Sequence, residues 1–258
     1  MLITDIKRNE GNNIGHVGLA LISEMARVCG LDTLVDRLGP GKAPQIKERE
    51  IFRTLVGLMC QGKTDFDHVR EYYGDDFFAT SLGLGRVPSA EILRQRFQRI
   101  ALETDLDAQL PRCSVELWKK TGMQPELIEM TRDDNKKEHW VRLDVDVSIF
   151  DNADTEKEGA SATYDKRFGF APIFAHLGGG WMVNGKLRPG SSHSSCEGTD
   201  EFILESLGYA KSMVEANVLV VADSGFDSKE RLETLCTQSR TGFIIKHNLR
   251  REPVTGWL

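Results

Sequence analysis

Val141-Arg142-Leu143-Asp144-Val145-Asp146-Val147-Ser148-Ile149 alternates strictly between apolar and polar side chains. Successive side chains of a β-strand point to opposite faces. The spacing therefore predicts a strand with Leu143, Val145 and Val147 on one face and Asp144, Asp146 and Ser148 on the other. Further along, Asn217-Val218-Leu219-Val220-Val221-Ala222 is an unbroken apolar run, the pattern of a parallel strand covered on both faces. Asp223 follows at once, ahead of Ser224-Gly225-Phe226.

The segments between and around these two runs set their order. Residues 151–168 read as a polar loop and 170–177 as a second strand. Gly178-Gly179-Gly180 reads as a turn, and 181–188 as a third strand with a bulge at Asn184-Gly185. Residues 198–213 have helical periodicity, with Thr199 or Asp200 as the cap. After the run at 217–222 comes a helix over 227–238, capped by Asp227 or Ser228, and a fifth strand over 242–247. A β-meander followed by right-handed helical crossovers gives an α/β fold, a mixed sheet of strand order 3-2-1-4-5. This is the ribonuclease-H-like arrangement. It sets the first and fourth strands side by side and parallel, about 4.8 Å apart. Asp146 and Asp223 then stand close enough to grip one cation, at the strand ends where open α/β sheets place their sites.

Ahead of residue 140 the pattern is helical. Residues 15–38 carry two helices separated at Gly30, 47–62 a strongly apolar one, and 64–73 a short one opened by Thr64 or Asp65. Residues 81–88 form a turn. Ser89 then caps a helix whose apolar positions are Ile92, Leu93, Phe97 and Ile100. Arg94, Gln95, Gln98 and Arg99 lie mostly off that face. A short helix, a glycine turn and a basic helix resemble a helix-turn-helix, which makes Arg94, Arg96 and Arg99 candidate DNA contacts. Residues 104–139 read as one or two helices and a loop, with a surface connection over 131–138. The expected division is a helical region over 1–139 and a catalytic domain over 140–258.

The bulk numbers are permissive. The chain has 258 residues, 40% hydrophobic and 28% charged, enough to bury a core. Its net charge of −6 argues against nucleic-acid binding when taken alone. A local basic strip can still bind phosphates, and a site of clustered carboxylates lowers the total. No apolar run has membrane-spanning length and the N-terminus lacks a signal-peptide core, so the expected location is the cytoplasm. The five cysteines form no C-x-x-C pair, which argues against a zinc site or a disulfide framework. No phosphate-binding G-x-x-x-x-G-K-S/T loop is present, excluding an ordinary ATPase. Ser192-His193-Ser194 reads as a polar loop, not as a hydrolase triad.

Phosphodiester cleavage needs an activated nucleophile, a stabilised pentacovalent phosphorus and a neutralised leaving group. Two Mg²⁺ ions about 3.5–4 Å apart supply all three. Such hard cations are held by carboxylate oxygens and keep several waters. Three segments carry a resemblance to the family that uses this chemistry: Leu143 to Ser148, Tyr164-Asp165-Lys166-Arg167-Phe168-Gly169-Phe170-Ala171-Pro172-Ile173, and Val221-Ala222-Asp223-Ser224-Gly225-Phe226. Together they resemble DDE-type insertion-sequence transposases. Arg188 to His193 is similar to that family's loop after the third strand.

The resemblance implies Asp146 and Asp223 as catalytic, metal-holding acids, with Mg²⁺ or Mn²⁺ as cofactor. It implies DNA as partner, both inverted-repeat ends and target, and it is compatible with a homodimer. Lys166 and Arg167, in a loop beside the expected site, are candidates to hold a DNA phosphate, the alternative being a solvated face. The family's third acid is a glutamate on a helix well past the fifth strand. Glu252 precedes Pro253 and so is not helical. The expectation is thus a transposase truncated before its third acid. The alternatives are an inactive remnant that only binds DNA or inhibits, and a ribonuclease-H-like nuclease of another role.

Overall fold

The computed structural model describes residues 17–38, 45–153 and 156–249. Two compact units divide between Thr121 and Gly122.

The first unit is helical: α1 (Leu19–Val28), α2 (Leu31–Arg37), α3 (Glu48–Cys60), α4 (Asp76–Leu82), α5 (Ala90–Glu103) and α6 (Leu106–Lys120), with a 3-10 turn over Phe66–Tyr72. The break between α1 and α2 falls at Gly30, whose φ of +80° suits a residue without a Cβ. Asp65 caps the 3-10 turn through Asp67 N–H, and Ser89 caps α5 by accepting from Ile92 N–H at 3.2 Å. Leu19, Ile51, Leu58, Val69, Phe78, Leu82 and Leu93 fill the core. A buried ion pair crosses it: Arg53 donates to both carboxylate oxygens of Asp32 and to the Leu82 carbonyl.

The second unit is a mixed sheet. Its strands are β1 (Leu127–Thr131), β2 (Lys137–Val147), β6 (Ile173–Leu177), β7 (Trp181–Lys186), β8 (Asn217–Ala222) and β9 (Thr241–Ile245). The path β7-β6-β2-β8-β9 is the expected meander and crossover order, with β2 and β8 parallel. Helices α7 (Thr199–Met213) and α8 (Lys229–Cys236) form the crossovers. Val141, Leu143 and Val145 of β2, Ile173, Ala175 and Leu177 of β6, and Val218 and Val220 of β8 meet Phe202, Ile203, Leu207 and Leu235 in one core. The alternation in 141–147 thus points its apolar half at the helices, as a half-buried strand should.

Some local expectations are corrected. Residues 127–141 form a hairpin, β1 against the first half of β2, where helices and a loop were expected. Leu127, Ile128, Met130 and Thr131 favour a strand, and the turn over 132–136 closes it through Arg132 and Asn135. The expected loop over 151–168 holds two short strands, β3 (Phe150–Asp151) and β4 (Ser161–Ala162). With β5 (Phe168–Phe170) they make a second sheet of order β3-β5-β4. The expected second strand breaks at Ala171-Pro172, because proline cannot donate to the ladder. The bulge falls at Val183, one residue before the expected pair, since Ala175 faces Asn184 and His176 faces Met182. Gly198, not Thr199 or Asp200, stands at the start of α7. Glu252 and the residues before Val17 lie outside the described residues.

Candidate acidic site at the strand ends

Strands β2 and β8 run in the parallel register Leu143↔Val220 and Asp144↔Val221. Carried two residues further, that register sets Asp146 level with Asp223, on neighbouring strands about 4.8 Å apart. Asp146 lies one residue before the end of β2 and Asp223 directly after β8, and both are exposed. One oxygen of each is held by backbone. Asp146 Oδ1 accepts from Val147 N–H at 2.8 Å, and Asp223 Oδ1 accepts from Gly225 N–H at 2.9 Å. The second oxygen of each has no hydrogen-bond partner among the described residues.

Asp144 shares the strand face of Asp146 but sits beside Arg142, 3.6 Å from its guanidinium. Two exposed carboxylates, each with a spare oxygen, fit a water-rich Mg²⁺ or Mn²⁺, which takes one or two carboxylates and keeps its remaining waters. Among the described residues no group of three or more His, Cys, Asp and Glu side chains is arranged to hold a metal ion.

The turn after Asp223 is braced from both sides. Arg231 is buried in α8; its Nη1 donates to the Phe226 carbonyl at 2.7 Å and its Nε to Asp200 Oδ1 at 2.5 Å. Asp227, expected as a helix cap, instead accepts from His247 Nδ1 and from Asn248 N–H, both at 2.8 Å, which ties the end of β9 to the turn. Ser228 does the capping. Arg231 and Arg188 escape sequence reading because a buried arginine has no periodic signature. Only the residues around it show that its charge is matched by carbonyls and carboxylates.

The five basic candidates have distinct surroundings. Lys166 stands at the tip of the β4–β5 hairpin with φ +70°, exposed and without an ion-pair partner among the described residues. Arg167 beside it donates to Asp165 at 2.6 Å. The Thr163 hydroxyl and then Arg167 hold the Asp165 carboxyl below the usual carboxylate range. On α5, Arg94 pairs with Asp65 and Asp67 at the surface. Arg96 and Arg99 turn inward instead. Arg96 Nε donates to both oxygens of Glu48 at 2.9 and 3.1 Å, and Arg99 Nη2 to Glu48 Oε1 at 2.5 Å. The Glu48 side chain is 1% exposed, so both arginines neutralise a buried charge.

A mixed α/β sheet with two carboxylates level at the ends of adjacent parallel strands defines an α/β domain with an acidic strand-end site. A family profile described as "Transposase DDE domain group 1" matches residues 7–251. The chain belongs to that family. No curated protein matches it. Among solved structures, the piggyBac transposase synaptic complex with hairpin DNA, seen by cryo-EM, is similar at 16% identity and a TM-score of 0.34. The match covers 93% of this chain and 52% of that one, so the chain spans about half the length of that solved protein. No helix among the described residues is long and apolar enough to cross a membrane.

Proposed function

We propose that this chain acts in DNA transposition as an insertion-sequence transposase, with Asp146 and Asp223 as two acids of a metal-dependent strand-cleavage and strand-transfer site. The observation that carries this reading is the register that sets Asp146 level with Asp223, in a chain of the DDE family. The sheet order supports a ribonuclease-H-like fold for the domain, and the location we infer is cytoplasmic.

Bound Mg²⁺ or Mn²⁺ would activate the attacking water or 3′-hydroxyl and neutralise charge on the phosphate. The chain's own part is placement. Backbone N–H groups fix one oxygen of each aspartate, which leaves the other oriented for a cation without further ordering cost. Lys166 is free to meet a DNA phosphate, and Arg167 can do so by leaving the exposed Asp165. Arg94 can exchange Asp65 and Asp67 for a phosphate at similarly small cost, because exposed ion pairs contribute only about 0–1 kcal/mol. Arg96 and Arg99 are structural in this reading, since their departure would strand Glu48. The helical unit would hold element ends, with a homodimer bringing two ends together.

Nicking of DNA that carries the element ends, in Mg²⁺ or Mn²⁺, tests this function. Cleavage should disappear in Asp146→Asn and in Asp223→Asn. Cutting that survives either substitution would remove the assignment.

A further inference from the structure

The segment between β7 and α7 is fastened at several points along its length. Arg188, 7% exposed, donates through Nε to the Ala171 carbonyl at 3.1 Å. Its Nη1 reaches the His193 carbonyl at 3.4 Å, Cys196 Sγ at 3.2 Å and Thr199 Oγ1 at 3.2 Å. One side chain therefore holds the loop at its root, its middle and its exit. Gly190 is wedged between carbonyls: a Cβ there would lie 2.2 Å from Ser161 O and 2.4 Å from Gly169 O. Ser191 N–H donates to Ser161 Oγ at 2.9 Å.

The far side of the loop leans on the turn after β8. Ser195 Oγ donates to the Gly225 carbonyl at 2.8 Å. Ser194 Oγ lies 2.7 Å from the point a Gly225 Cβ would occupy, and Asp223 Oδ1 lies 3.1 Å from the same point. The Ser194 hydroxyl and the Asp223 carboxylate therefore flank the same point, the place where a Gly225 side chain would stand. That hydroxyl makes no hydrogen bond among the described residues, whereas the neighbouring Ser195 hydroxyl donates to the Gly225 carbonyl.

We propose that Ser194 is a substrate-binding residue of the acidic site, its hydroxyl donating to a non-bridging oxygen of the DNA phosphodiester held next to Asp223, with Arg188 as the positioning residue that fixes the loop. This rests on the function proposed above. A hydroxyl offers a phosphate oxygen a donor without adding charge to a site that already gathers cations. Held in place by Arg188 and Ser195, it loses little freedom when the phosphate arrives. Gly225 is required because a Cβ there would crowd both the Ser194 hydroxyl and the Asp223 carboxylate.

Two titrations separate this proposal from the reading beneath it. The first is Mn²⁺ alone binding to the chain without DNA. The second is binding of a short DNA duplex with and without Ca²⁺. Ser194→Ala should bind Mn²⁺ as the wild type does and lose about 10-fold or more of the Ca²⁺-dependent gain in DNA affinity, the usual weight of a hydrogen bond to a charged group. Arg188→Gln should lose a similar share while the helical unit melts unchanged. Asp223→Asn should bind Mn²⁺ itself markedly more weakly. A Ser194→Ala chain that keeps the full gain, or a wild type that shows none, overturns the role of Ser194. Mn²⁺ binding that is indifferent to Asp223→Asn overturns the underlying site.

Discussion

Replacing Glu48 with alanine should unfold the helical unit far more readily than any surface change in it. Glu48 opens α3 with its side chain 1% exposed, and Arg96 and Arg99, at 18% and 24%, both close on it. Removing one member of a buried ion cluster costs about 3–5 kcal/mol, because the remaining charges keep their desolvation penalty and lose their partner. The arginines here retain some water, so a lower figure of about 2–3 kcal/mol is appropriate. For a unit of this size that lowers the melting temperature by about 8–15 °C.

Arg96→Ala or Arg99→Ala alone should cost less, about 1–2 kcal/mol, because the other guanidinium still pairs with Glu48. Urea unfolding followed by helical circular dichroism reads this directly. The midpoint should fall while the slope stays constant. The reasoning is refuted if Glu48→Ala unfolds within about 0.5 kcal/mol of wild type, the range of surface substitutions. It would be refuted as well if Arg96→Ala and Arg99→Ala weakened DNA binding at full stability.

Gly190→Ala meets two backbone oxygens that cannot rotate away. It should destabilise the second unit by about 1–3 kcal/mol, measured as a loss of melting temperature; an unchanged melt would show that the loop yields. Cys29 and Cys113, far apart in sequence, meet in the helical unit. The hydrogen bond from Cys113 lowers the Cys29 thiol to about 7, while burial opposes that shift and Cys113 itself is pushed up. A lowered acid contributes stability above its ordinary value and loses it as pH falls through the folded value. Thiolate absorbance should therefore rise near pH 7 and move upward in Cys113→Ala. A first thiol titration at the ordinary value, about pH 8.5, would contradict the pairing.

Much of the fold of the second unit is legible from two short runs. The alternation in 141–149 fixes which face of β2 is buried, and the apolar run at 217–222 demands a covered parallel strand. With the glycine turn at 178–180 between them, few topologies remain. The candidate acids follow from that order, since Asp146 and Asp223 end adjacent strands. Ser89 and Asp65 are legible as caps because a cap depends only on neighbours a few residues away.

What escapes is what depends on distant partners. The β1 hairpin hides behind charged residues such as Lys136, Lys137 and Glu138, which mask its pattern. Arg96 and Arg99 look like an exposed basic face until Glu48, half the unit away in sequence, is found beneath them. Asp227 looks like a cap until His247 and the Asn248 backbone arrive from β9. The bracing of the Asp223 turn by Arg231 and of the 188–199 loop by Arg188 is likewise invisible without the fold.

Mn²⁺ binding, measured by calorimetry on the chain and on Asp146→Asn, Asp223→Asn and the double variant, bears most directly on the acidic site. The wild type should bind Mn²⁺, each single variant should bind it markedly more weakly, and the double variant should not be much worse than either single one, because two residues sharing one cation are not additive. Equal Mn²⁺ affinity in all four proteins, with folding intact, would contradict a metal held between Asp146 and Asp223.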